Sequence, residues 1–438
     1  MFSALSRLWQ RPFRGGRASR PPRRPRGGFR PRLEALEDRY VLSPLTVTSS
    51  ADDVNQVGTL RYAVAHAQDG DVIDILGGRE GAQHITLTHG ELFLNNSVTI
   101  ESAVPGQATI DGNNSSRVFE VARGASVNLD NLVIIKGNAK AHNSLGKTSL
   151  DGYGGGILNE GSLTIDHCWV GNNGSTSFGT KNNPLKAGGG IYNYHGGLVV
   201  MESSVDDNFA GAGGGIYNDR GTLSVTDSTM AGNSASGGGG AILNALGVVS
   251  VGEGSALFSN HARDGGAIFS DGGDVTVGYS DLERNTAVLY GGALMVIDGT
   301  MTLTHEGALG STLQDNTAGK SGGGIYNQEG HLIVASSNLV HNSAQENGGG
   351  IASRGGKVDV FDSRLLRNTA GHFGGAIYDY SSIVTVSGSL LSLNQASKGG
   401  AIYNDHGSLY VAGNHFIGNL PDHIAGAFTG VGNIFITI

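Results

Sequence analysis

The residues with the clearest chemical potential are acids spaced to fall on one line. Glu202, Asp227 and Glu253 follow one another at intervals of 25 and 26 residues. If that interval is one turn of a stacked chain, their carboxyls lie ~4.8 Å apart, the spacing of neighbouring strands. Two carboxyls ~5–5.5 Å apart are the arrangement of a retaining glycosidase. The same oxygens suit Ca²⁺, a hard cation, and no other metal or cofactor has a motif here. The row continues as Tyr279, His305, Ser336, Asp362, Gly388 and Gly413. Asp, Ser and Gly are also turn residues, so the row is expected to be turn chemistry before it is catalytic.

A second row carries Tyr192, Tyr217, Tyr326, Tyr378 and Tyr403 at matching positions. Facing outward, these rings would form a platform on which sugars stack; facing a loop, they would simply pack under it. Two linkers, 139–153 and 173–187, are each about ten residues longer than their counterparts and carry Lys140, His142, Lys147, Lys181 and Lys186. Paired long loops on a rigid scaffold are a usual place for binding, although insertion without function is the plainer account. No Ser/His/Asp set, His-rich metal spacing or phosphate loop stands out, since no Gly-Gly run opens a helix after a strand.

These rows exist because the chain repeats. The phrase Gly-Gly-[Gly/Ala]-[Ile/Leu] ends at Ile157, Ile191, Ile216, Ile242, Ile268, Leu294, Ile325, Ile351, Ile377 and Ile402, most often 25 or 26 residues apart. Seven and nine residues after each anchor from Ile191 onward stands an aliphatic pair such as Leu223/Val225, the period-2 mark of a strand with one buried face. An Asn recurs at 208, 233, 260, 285, 316, 342, 368, 394 and 419. Three short strands in about 26 residues fit one coil of a parallel β-helix, whereas a propeller blade needs ~40–50. Stacked coils would line up like side chains in columns, and the Asn column is expected to pair amide to amide. In Leu60-Arg61-Tyr62-Ala63-Val64-Ala65-His66-Ala67 the apolar residues fall at helical spacing, predicting a short helix that caps the first coil.

Composition agrees. Glycine is 73 of 438 residues, about 17% against a usual ~7%, and charged residues are 15%. One cysteine excludes a disulfide framework, and no stretch has the ~18 apolar residues of a membrane helix. The net charge of -9 splits into +8 over residues 1–43 and -17 over the rest. The Arg/Pro-rich leader is expected to be disordered. The acidic body opposes nucleic acid as a partner.

Leu33-Glu34-Ala35-Leu36-Glu37-Asp38-Arg39 resembles the L-E-x-L-E-x-R segment of large secreted planctomycete proteins, which implies export. Thr59-Leu60-Arg61-Tyr62-Ala63-Val64 resembles the C-S-L-R-E-A-I start of bacterial secreted right-handed β-helix proteins, with Thr59 where that pattern has Ser and Tyr62 where it has Glu. The Gly-Gly-Ala-Ile phrases resemble the repeats of chlamydial polymorphic outer-membrane proteins. Together they imply an all-β, single-stranded, right-handed parallel β-helix of the pectin-lyase-like kind. The expected organisation is a leader at 1–43, a cap and first coils at 44–150, and Gly-rich coils at 151–438. That fold hosts lyases, hydrolases, adhesins and passive rods. The expectation is an extracellular or envelope rod that contacts a polysaccharide or cell-surface component without catalysis. The alternative is a polysaccharide lyase or glycoside hydrolase using acids on one outer face. Oligomeric state is not encoded in any recognisable pattern.

Overall fold

A computed structural model describes residues 45–437 apart from 78–82, 105, 107, 140–149, 151, 175–185, 253 and 305–309. The described residues from Leu45 onward form an all-β solenoid. The basic leader, Lys140, His142, Lys147, Lys181, Glu253 and His305 lie outside the described residues.

The coil that begins at Ile216 shows how sequence becomes shape. Ile216–Asp219 form an anchor strand, Thr222–Thr226 a longer strand and Thr229–Ala231 a third. Arg220 and Asp227 turn the corners in the left-handed region, at φ 54° and 44°. Ile216, Asn218, Leu223, Val225 and Met230 face inward and are buried, while their neighbours within each strand lie on the outer side. Gly239 has φ 68°. At Gly240 a Cβ would stand 2.2 Å from the Gly266 carbonyl oxygen of the next coil. Only glycine lets the two coils approach so closely.

Repetition stacks these strands into parallel sheets of 15, 13 and 14 strands. Val200, Val225, Val251 and Val277 are partners on successive rungs, as the column expectation requires. The three-strand coil is incomplete in one respect. A fourth, seven-stranded sheet of short strands such as Ser234–Ala235 and Ser343–Ala344 follows the recurring Asn. A Ser-Ala or Thr-Ala dipeptide is too brief to show periodicity, so this face was not visible in the pattern. A single aliphatic core runs from Val47 to Phe416.

Leu60–His66 is the predicted helix, capped by the Thr59 hydroxyl, which accepts the Tyr62 N–H. Leu60, Ala63 and Val64 are buried against the first coil. No helix among the described residues is long and apolar enough to cross a membrane.

Candidate functional site

The Asn column is a buried ladder. Each amide from Asn173 to Asn394 donates to the Oδ1 of the Asn on the next coil, at 2.9–3.1 Å. The second amide hydrogen of Asn342 goes to the Leu313 carbonyl, and the Asn342 Oδ1 also accepts the backbone N–H of Asn316. With every donor used inside the protein, the column has no capacity for a ligand.

Two further ladders escaped sequence reading because their residues look like ordinary turn residues. Asn159, Asn193, Asn218 and Asn244 form one, with amide-to-carbonyl distances of 2.7–2.9 Å. Buried serines from Ser203 to Ser389 form the other, the Ser203 N–H donating to Ser228 Oγ at 3.1 Å. Cys168 occupies the same column. Its N–H donates to Ser203 Oγ and its thiol to the Leu129 carbonyl. Burial pushes its thiol up to about 12. Such a thiol is inert rather than nucleophilic.

Asp379 replaces Asn at the third position of an anchor strand. It is completely buried; its Oδ1 accepts the Ser382 N–H at 2.9 Å, and its Oδ2 has no partner. Burial raises this carboxyl to about 6. A Cβ on Gly407 would meet Asp379 Oδ2, just as one on Gly221 would meet the Asn193 amide nitrogen. The oxygen therefore stands where the ladder places a donor, and only a protonated acid can supply one.

The acid row of the sequence lies on a corner. Glu202 and Asp227 both have φ 44°, and Tyr279, Ser336, Asp362, Gly388 and Gly413 share the left-handed region. The corner brings Glu202 to His167, Oε2 to Nε2 at 2.9 Å. The denser acidic line is one strand position away. Asp74, Glu101, Asp130 and Asp166 are partners on four successive rungs of the long-strand face. Their unequal spacing in sequence hid them, because the loops between the first coils differ in length.

His167 Nδ1 lies 2.7 Å from Asp166 Oδ1, and one atom each of Asp130, Asp166 and His167 fall within 4.8 Å of one another. Burial, then the neighbouring Asp74 and Asp130, raise the Glu101 carboxyl. Burial and Asp166 raise Asp130 against the pull of His167. Partial desolvation opposes protonation of His167, but Asp166 and Glu202 outweigh it and raise the imidazole. The cluster is thus a carboxyl series in which Glu101 holds a proton more tightly than an ordinary acid, beside an imidazole that can carry charge. Such groups can move protons.

The tyrosine row occupies the outer side of the anchor-strand face, but unevenly. Tyr192 and Tyr326 are only 4% and 7% exposed. Tyr192 Oη donates to Asp219 at 2.8 Å, and its ring packs beside Tyr153 and Tyr217 at 4.8 and 5.2 Å. Tyr192 packs with Leu158 and Ala187, and Tyr326 with Met295 and Ala352, so neither ring offers a free face. Tyr378 and Tyr403 are half-buried, with planes 17° apart, and Phe373 lies 24° from Tyr403 at 4.6 Å. Exposed Lys398 stands 5.0 Å over Tyr403. Of the candidate lysines, Lys186 is described, half-buried with its stem against Gly152.

Near the cap, Arg117 is 5% exposed and joins Glu91 at 2.7 Å and Glu120 at 3.0 Å. It also donates to the Leu150, Tyr153 and Gly154 carbonyls. Burial, with Glu91 beside it, pushes Glu120 up to about 7 against the pull of Arg117.

Comparison with known proteins agrees with this architecture. Residues 227–245 and 310–328 match the model of the Chlamydia polymorphic membrane protein repeat. No curated protein matches the chain. The catalytic unit of a GH87 alpha-1,3-glucanase from Streptomyces thermodiastaticus is similar at TM-score 0.52 and 15% identity. That match covers 89% of this chain, which spans 66% of the glucanase unit. The A-module of a mannuronan C-5 epimerase from Azotobacter vinelandii aligns at TM-score 0.37 and 13% identity, over 85% of this chain and 92% of that one. Columns, sheets and repeat model together make this chain a parallel β-helix repeat protein.

Proposed function

We propose that this protein is a cell-exterior β-helix that holds polysaccharide along its outer aromatic row without cleaving it. The carrying observation is the near-parallel set Phe373, Tyr378 and Tyr403, half-buried and so rigid, with Lys398 at its edge. Flat rings bind the C–H faces of sugars through apolar contact, and neighbouring lysine and carboxylate groups reach hydroxyls. The leader's resemblance to export segments and the membrane-protein repeat support an exterior location. Purified protein is expected to bind on a glycan array without releasing reducing or unsaturated ends, with or without Ca²⁺. Tyr378→Ala and Tyr403→Ala should each weaken binding at least tenfold. Unchanged binding in both would refute the reading.

A second reading, glycoside hydrolysis, is favoured by the Asp74–Glu101–Asp130–Asp166 column. Neighbouring carboxyls at strand spacing of ~4.8 Å are near the retaining distance, and Glu101 is the group raised toward a general acid. The alpha-1,3-glucanase of similar fold makes α-glucans the first substrates to try. Reducing-end release that is lost in Glu101→Gln would establish this reading over the first. Glu202→Gln and Asp227→Asn test whether the corner acids take part.

A further inference from the structure

The aromatic row does not begin at Tyr192. Register carries it back through Leu158 and Glu120 to Phe93, three rungs nearer the cap. There the helix Leu60–His66 closes the end of the stack, and a cavity of about 450 Å³ lies between them. That volume is in the range of small-ligand sites. Val64, Leu92 and Phe93 give it an apolar side, and Asp53, Asn55, His89 and Glu91 a polar one.

Charge decides what it can hold. Arg61 also borders the cavity, but four of its five N–H donors are already committed. Nε and Nη2 reach the Asp52 carboxylate at 2.5 and 3.2 Å, and Nη1 and Nη2 reach the Glu91 and Gly90 carbonyls at 3.1 and 2.5 Å. Arg117 is likewise held by two carboxyls and three carbonyls. His89 Nδ1 stands 3.0 Å from the Thr88 hydroxyl and 3.5 Å from Asp52. Both guanidiniums are thus mostly engaged by the protein rather than turned to a phosphate or a uronate, and Asp53 and Glu91 in the lining would repel either. Glu91 Oε1 is buried without a hydrogen-bond donor. It is closed to solvent, so the polar side of the cavity is presented by the other groups of its lining. A ring with one apolar face and several hydroxyls, and no charge, satisfies all these walls.

We infer that this cavity is a separate site, at the capped end of the solenoid, for one uncharged sugar residue of a bound glycan. The inference rests on the polysaccharide-holding reading and adds a second position and its charge class. It is tested by titrating the full-length protein with neutral hexoses, with galacturonate and with inorganic phosphate, followed by ligand-observed NMR and calorimetry. A neutral hexose should bind in preference to both anions. Phe93→Ala and the exposed Asn55→Ala should each weaken hexose binding at least tenfold with an unchanged unfolding midpoint for Asn55→Ala. Preference for galacturonate or phosphate, or hexose binding indifferent to both substitutions, would overturn it. If the protein is retained on polysaccharide yet binds no hexose, the cavity site falls and the row survives; if nothing binds, both fall.

Discussion

The coils before residue 150 and those after it share three sheet faces, the fourth sheet beginning only at Phe209, and they handle buried polarity differently. The later coils use repetition: Asn above Asn and Ser above Ser, each donor meeting an identical neighbour. The first coils have no such ladders among the described residues. They hold their edges with ions instead, Asp52 to Arg61, Asp111 to Lys136, and Arg117 between Glu91 and Glu120. Repetition satisfies polar atoms at the cost of chemical variety. Irregular coils need individual solutions, and there the raised Glu101, Glu120 and Asp130 and the cavity are found, with the His167 cluster at the junction of the two regions.

The sharpest break in this contrast is Asn342→Leu. It strands the Asn316 N–H and amide and the Leu313 carbonyl. At ~1–3 kcal/mol for each unsatisfied group, it should lower the thermal midpoint more than any other change considered, with hydrogen exchange spreading to both neighbouring coils. A midpoint unchanged within error would deny the ladder its role.

Arg117→Met should cost about 3–5 kcal/mol, because it leaves two carboxyls buried without their partner. Faster exchange is expected around the cap and first coils, with the coils beyond Ile216 protected as before. Loss of protection throughout would show that the two regions are not separable.

Asp379→Asn should act in the opposite direction. The folded carboxyl holds its proton to about 6, against an ordinary 3.8. Stability from this group is fully present below pH ~4 and is lost as pH rises through about 6, a difference of order 3 kcal/mol. An amide restores the donor without a proton, so the variant should melt higher at pH 7.5 and gain nothing at pH 4. A gain independent of pH would place the cause elsewhere. The smallest effect is expected for Cys168→Ser, within about 0.5 kcal/mol, since it completes the serine column; thermal melts of the pair would measure it.

The fold was legible because a solenoid repeats its constraints. One coil's alternation and Asn recur nine times, so Ile216 or Val225 is read with the support of all its counterparts. The short fourth strands and the serine column were not legible, as Ser-Ala dipeptides and lone serines carry no period. The candidate site was less legible still. Glu202 and Asp227 were found on a corner, whereas Asp130, which acts on both Glu101 and His167, sits where loop lengths vary and register cannot be counted along the chain.

Sequence alone determined that this chain coils, how far apart its rungs lie and which residues line its core. Those depend on near neighbours in a pattern that each coil restates. Only the tertiary structure decided which tyrosines are covered, which acids meet and where Phe93 falls relative to the cap. Such contacts join residues on different coils, and their meeting is set by how much chain each intervening loop consumes.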